Sequence, residues 1–177
     1  PWFDPLIALK AAEKLIEKDP KIVLLFVGSE HFQSNIEAKE QADAIKDIAI
    51  KKGLLEKNIF FYPWLPYDKR HAMYLESDIA IITSKPTIEN SFSFRTRIID
   101  CIWGELPVVC TAGDSASALI EDLGLGLSIP AEDPESLAEA IKDIISKPVI
   151  SNKKDMFLKA KKKLSWDNLV SGLDRFC

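Results

Sequence analysis

The stretch Glu89-Asn90-Ser91-Phe92-Ser93-Phe94-Arg95-Thr96-Arg97-Ile98-Ile99-Asp100 concentrates the groups that could do chemistry in this chain: two acids, two arginines and several small polar side chains. It reads as a loop running into a helix. A helix start presents free backbone N–H groups and the positive end of the helix dipole, which together favour a diphosphate. Arginines there oppose the usual preference for negative charge, and the conflict resolves if Arg95 and Arg97 meet an anionic ligand through charge-assisted hydrogen bonds. The alternative leaves both arginines at the surface, in solvent or paired with acids.

Other chemistries find less support. Gly28-Ser29-Glu30-His31 follows a strand pattern, but one glycine does not make a dinucleotide fingerprint, and neither a complete G-x-G-x-x-G nor a P-loop occurs. His31 and His71 have no neighbours at metal-ligand spacing, and no Ser/His/Asp or Cys/His set points to a hydrolase. Cys101, Cys110 and Cys177 are too few and too scattered for a disulfide framework or a zinc site, and they suit a reducing, cytoplasmic setting.

At 177 residues, 47% hydrophobic and 28% charged, the chain has the profile of one globular domain with a real core. A net charge of −4 leaves no excess of cations for a nucleic-acid backbone. The basic run Lys159 to Lys163, with Lys153 and Lys154 upstream, reads as a solvated helix face, and contact with an anionic membrane surface is the alternative. No stretch reaches the roughly 18 apolar residues of a membrane span. The opening Pro1-Trp2-Phe3-Asp4-Pro5 lacks an initiator Met and reads as the start of a piece of a longer protein.

The elements that must position these groups alternate. Asp4-Pro5 opens a helix as N-cap and first residue, with an apolar stripe through Leu6, Leu9, Ala12, Leu15 and Ile16. Ile22 to Val27 is an unbroken apolar run of the kind a strand buried on both faces requires, and Gly28 closes it. A helix over about Asn35 to Lys52, a strand Ile59 to Tyr62, a short helix Tyr67 to Glu76 and a strand Ile79 to Ile82 follow. A loop from Ser84 to about Ser93 leads into a helix ending at Trp103. Then come a strand Val108 to Cys110, a helix Ser115 to Leu123, a strand Leu127 to Ile129, a helix from Asp133-Pro134 to Ser146, and helical pieces Lys153 to Leu164 and Trp166 to Phe176. Such alternation predicts an α/β fold, a Rossmann-like, doubly wound parallel sheet with helices on both faces. The first helix has no strand to cross over from, so a further strand is expected before Pro1. In sheets of this kind ligands bind at the carboxyl ends of the strands, which puts function in the loops after Val27, Tyr62, Ile82 and Cys110.

The segment from Glu89 through Asp100-Cys101-Ile102-Trp103-Gly104-Glu105-Leu106-Pro107-Val108-Val109 resembles the donor-site signature of the group 1 glycosyltransferases of GT-B architecture. Thr111-Ala112-Gly113-Asp114, Gly124 to Leu127 and Asp133 to Ile141 match the order and spacing of that family's C-terminal domain, so the resemblance covers nearly the whole chain. It implies that residues 1–177 are the nucleotide-sugar (donor) domain, one half of a GT-B fold, with the N-terminal acceptor domain and the first strand absent. In the family motif Glu-x7-Glu the first acid meets the donor sugar and the second grips the ribose. Counting back from Pro107 places Asp100 on the second acid. The first falls at Phe92, and Glu89 is the nearest acid to it, on a longer loop.

The resemblance further implies that Arg95 and Arg97, with the amides of Ser91, Phe92, Ser93 and Arg95, stabilise the diphosphate. Glu89 would serve the hexose and Asp100 the ribose, and the loop after Gly28 belongs to the same rim. Trp64-Leu65 falls where the family places the nucleotide base, although Trp64 reads more readily as core than as a base platform. The implied activity is retaining sugar transfer from a nucleoside-diphosphate sugar, which is a substrate and not a cofactor. No cofactor and no metal are required, the acceptor is held by the absent domain, and the fragment alone is expected to be inactive. A nucleotide-sugar epimerase or a non-catalytic binding domain on the same fold are the rivals.

Overall fold

The computed structural model describes residues 3–28, 36–146 and 153–170. Five short strands alternate with helices in chain order, as the apolar runs and the Gly and Pro stops predict: β1 Leu24–Val27, β2 Ile59–Tyr62, β3 Ala80–Ile82, β4 Val108–Thr111 and β5 Gly126–Ile129. The helices are α1 Pro5–Lys18, α2 Ile36–Lys51, α3 Arg70–Glu76, α4 Ile88–Phe92, α5 Arg97–Trp103, α6 Ser115–Asp122, α7 Pro134–Ser146, α8 Lys153–Lys163 and α9 Trp166–Leu169.

Every strand pair is parallel, but the strands form two sheets, β1-β2 and β3-β4-β5. Among the described residues β1 pairs only with β2 and β3 only with β4, so each keeps one edge without a partner strand. The crossovers explain why the helices divide between two faces. A right-handed strand–helix–strand unit puts its helix on one face when the chain winds one way across a sheet, and on the other face when it winds back. The first core joins α1, α2 and α7 to Leu24, Phe26, Ile59, Phe61, Ile81 and Val109. The second joins α5, α6 and α8 to Ala80, Ile82, Val108 and Cys110. This is the doubly wound α/β arrangement expected.

Several local expectations change. Residues 22–27 do not form a strand buried on both faces: pairing starts at Leu24, and Leu25 and Val27 remain 39% and 36% exposed because the second core does not extend under β1-β2. The Asp4 carboxylate makes no cap hydrogen bond, and its backbone N–H instead donates to the Thr83 carbonyl at 3.0 Å. Tyr67 to Glu76 begins as a 3-10 turn before α3. The stretch expected as a loop to Ser93 contains α4, and the tail expected as a helix to Phe176 is described only as far as residue 170. Ser29, Glu30, His31 and Cys177 lie outside the described residues.

β4 is the centre of the three-stranded sheet and is buried along its whole length. β5 lies against it so closely that a Cβ at Gly126 would collide with the Val108 carbonyl oxygen. The glycine is required there by contact, not by an unusual backbone angle.

Candidate functional site

The loops after β3 and β4 are tied together by buried polar contacts. The Ser84 N–H donates to Thr111 Oγ1 at 3.0 Å, and Thr83 Oγ1 donates to the Asp4 carbonyl at 2.6 Å. These bonds satisfy backbone and hydroxyl groups that burial would otherwise strand. Thr87 then caps α4 by accepting from the Asn90 N–H at 3.2 Å, and the buried Asn90 side chain donates back to the Lys85 carbonyl at 2.8 Å. Ser91 Oγ donates to the Ile88 carbonyl and Ser93 Oγ to that of Asn90. Small polar side chains thus build the turn into α4 rather than projecting freely from it.

On the other side, Gly113 at φ +106 turns the chain out of β4, in a conformation that favours glycine. Asp114 follows as the N-cap of α6. Its Oδ1 accepts from the Ser117 N–H at 2.6 Å while Ser117 Oγ accepts from the Asp114 N–H at 3.2 Å, a reciprocal capping box.

Between these loops, beyond the carboxyl ends of β3, β4 and β5, lies a cavity of about 310 Å³ lined by Ser84, Lys85, Ser91, Arg95, Gly113 and Asp114 among others. Arg95 enters it from the segment before α5. Its Nη1 stands 3.1 Å from Asp114 Oδ2, with the two side chains only 8% and 3% exposed. The pair is close but poorly aligned: neither of these two buried atoms makes a hydrogen bond. Charge is balanced there at two atoms that are themselves shut off from solvent.

The residues expected from sequence separate around this cavity. Ser91 and Arg95 line it. Arg95, expected to meet an anionic ligand or else to lie in solvent or pair with an acid, faces Asp114. Arg97 lies over the Phe3 ring, its guanidinium carbon 4.7 Å from the centroid. Glu89 and Phe92 sit on α4, with Phe92 88% exposed, and Ser93 follows that helix; none of the three is among the lining residues.

Asp100, on α5, is outside the lining as well and accepts from the Tyr74 hydroxyl at 3.4 Å. Burial first, and the Asp100 charge second, push the Tyr74 hydroxyl up to about 12. Trp64 and Leu65 follow β2, where Arg70 stacks 5.3 Å from the Trp64 ring and donates through Nε to the Leu65 carbonyl at 3.2 Å. Trp64 is therefore a partly exposed stacking partner and not core. Gly28 takes φ +87 at the end of β1, and its N–H donates to the Tyr62 carbonyl.

Lys85, Gly113 and Asp114 were not singled out as site residues by their types. The available signals were topological, since the loops after Ile82 and Cys110 were the ones predicted to carry function, and, for Gly113 and Asp114, the family-like segment Thr111 to Asp114. Among the described residues no cluster of His, Cys, Asp or Glu could hold a metal ion, and no helix is long and apolar enough to cross a membrane.

The sequence matches the family described as glycosyl transferases group 1 over residues 4–164. Comparison with curated protein sequences returns no match. Among solved structures, the chain resembles HepE from Anabaena in complex with UDP, with a TM-score of 0.79 at 17% identity, covering 99% of this chain and 45% of that one. It resembles a sucrose-phosphate synthase from Thermosynechococcus elongatus with a TM-score of 0.74 at 17% identity, covering 99% of this chain and 42% of the synthase. The C-terminal domain of a glycosyl transferase group 1 family protein from Francisella tularensis superposes with a TM-score of 0.71 at 16% identity, over 90% of this chain and 79% of that domain. The chain thus spans less than half the length of the first two.

Proposed function

The chain belongs to the group 1 glycosyl transferases, and from that membership we propose that it is the donor-binding half of a GT-B enzyme that transfers a sugar from a nucleoside diphosphate to an acceptor. The observation that carries this reading is the cavity at the carboxyl ends of β3 to β5, with the buried guanidinium of Arg95 in its wall and Lys85 at its edge. An anionic ligand is the chemistry such a wall serves best. The UDP in the Anabaena HepE complex supports a nucleoside diphosphate as that ligand.

In this reading Arg95, Lys85 and the backbone near Ser91 and Gly113 hold the diphosphate and stabilise the negative charge that grows on it as the glycosidic bond breaks. Asp100 serves the ribose and Glu89 the sugar, with retention of configuration. The acceptor is held by a further domain, which accounts for a chain spanning less than half of HepE and the synthase. Among the described residues one edge each of β1 and β3 lacks a partner strand, which supports a further parallel strand between them, contributed by the same larger protein.

Calorimetry with UDP, GDP, dTDP and ADP, each against its nucleoside, tests the reading. At least one diphosphate should bind more tightly than its nucleoside, and Arg95→Gln should remove that preference while Arg97→Gln, which alters a ring contact, should not. Loss of the preference in Arg97→Gln alone would place the diphosphate elsewhere.

A further inference from the structure

We propose that Asp114 is a positioning residue of the anionic site: its carboxylate holds the Arg95 guanidinium in the cavity wall without consuming the hydrogen bonds that the ligand needs. The inference rests on the reading of the cavity as a diphosphate site and adds a residue to it.

Three observations carry it. First, a buried guanidinium needs a counter-charge, since removing an ion from water costs several kcal/mol unless it is compensated. Asp114 is the acid within salt-bridge distance of Arg95 among the described residues, at 3.1 Å, and both side chains are more than nine-tenths buried. Second, the Asp114 carboxylate is itself immobilised. One oxygen accepts from the Ser117 N–H at 2.6 Å as the cap of α6, which leaves Oδ2 to face the arginine. The arginine is therefore referenced to the end of a packed helix whose Ala116 and Ile120 are fully buried.

Third, the contact is electrostatic without being a formed hydrogen bond, because Nη1 and Oδ2 are both buried and unsatisfied. A well-aligned bidentate pair would use up the donors of the guanidinium. This pair neutralises the charge at the buried Nη1 edge, and a ligand meets Arg95 through the part of the side chain that lines the cavity. Two effects of Asp114 on an anion oppose each other: its charge repels, and its hold on Arg95 organises. At this degree of burial the second dominates, because an arginine without a counter-ion would turn out towards water.

The test uses substitutions that keep the helix cap. Asn and Ser cap a helix about as well as Asp, so Asp114→Asn and Asp114→Ser remove the counter-charge while preserving α6. In the full chain, calorimetry with whichever of UDP, GDP, dTDP and ADP binds the parent most tightly should show diphosphate affinity falling about tenfold or more in both variants, the loss of one charge-assisted hydrogen bond. Affinity for the matching nucleoside should stay within about twofold, and Asp114→Glu should recover part of the loss.

Unchanged or tighter diphosphate binding in both variants would overturn the proposal, tighter binding by showing that Asp114 competes with the ligand for Arg95. Arg95→Gln tells the two readings apart. If it abolishes the diphosphate preference and the Asp114 variants do not, only the positioning role fails. If it leaves the preference intact, or no diphosphate binds the parent, the anionic site fails and the positioning role with it.

Discussion

The three-stranded sheet includes Thr111, Gly126 and Ser128 and the two-stranded sheet is built from strands apolar throughout, yet it is the three-stranded sheet that is better covered. β4 is buried on both faces, with Val108 and Val109 inaccessible and Cys110 nearly so. β1 is covered on one face only: Leu24 and Phe26 join the first core, while Leu25, Val27 and the neighbouring Tyr62 on β2 are 39%, 36% and 51% exposed. The cavity and its cross-loop bonds belong to the first of these halves. A site needs rigid walls, and rigidity comes from the half in which both helix layers press on the sheet. In the proposed reading, the exposed face of β1-β2 is one that the rest of a larger enzyme covers.

Substitution at the centre of the second core should break this contrast most severely. Phe157 on α8 is 1% exposed and packs into that core. Phe157→Ala should cost about 3–5 kcal/mol, by the lost burial and the cavity left behind. Chemical denaturation measures this, and a cost under about 1 kcal/mol would show that α8 is not part of the rigid half.

Alkaline pH should weaken the same half. Burial pushes the Cys101 and Cys110 thiols from 9.0 up to about 12, with the charges of Asp100 and Asp114 respectively as further causes. A raised acid pKa means that the folded state keeps protons the unfolded chain releases, so stability is full below about pH 9 and falls as pH climbs from there towards 12. Between pH 8 and 10 the two thiols together should cost roughly 1–3 kcal/mol. Denaturation midpoints across that range should drop less in a Cys101→Ala, Cys110→Ala double variant than in the parent. Equal slopes would mean that the thiols are not held protonated.

The smallest effect is expected on the open face. Leu25→Thr keeps a strand-forming residue and exchanges a partly exposed side chain, so the cost in this chain should be under about 1 kcal/mol. In a longer protein that covers β1-β2 the same substitution should cost about 2 kcal/mol or more. Measuring both sharpens the contrast directly, and equal small costs would show that the face stays open.

Much of the architecture was legible in sequence because it follows from local rules. Asp4-Pro5, Asp133-Pro134, Gly53, Gly104 and Gly124 mark helix ends by local signals, and the observed helices start or stop beside them. The apolar runs at Ile59 to Tyr62 and Val108 to Cys110 became β2 and β4. The segment from Glu89 to Val109 was recognisable as a family signature by its spacing from Pro107, and the family match covers it. The helix α4 was not, because Thr87, Asn90 and Ser91 suit a turn as well as a short helix, and its caps decide between them.

The sequence by itself determined the order of strands and helices, the parallel doubly wound class and the loops where a ligand should sit, since these depend on hydrophobic period and on Gly and Pro stops. Tertiary structure alone decided which side chains share a site. Arg95 and Asp114 stand on different loops, and only the parallel packing of β3 against β4, locked by Ser84 and Thr111, brings their side chains within 3.1 Å. Tertiary structure also decided that Ile22 to Val27, apolar throughout, would bury only alternate residues, because burial depends on whether a second layer is present to cover the other face.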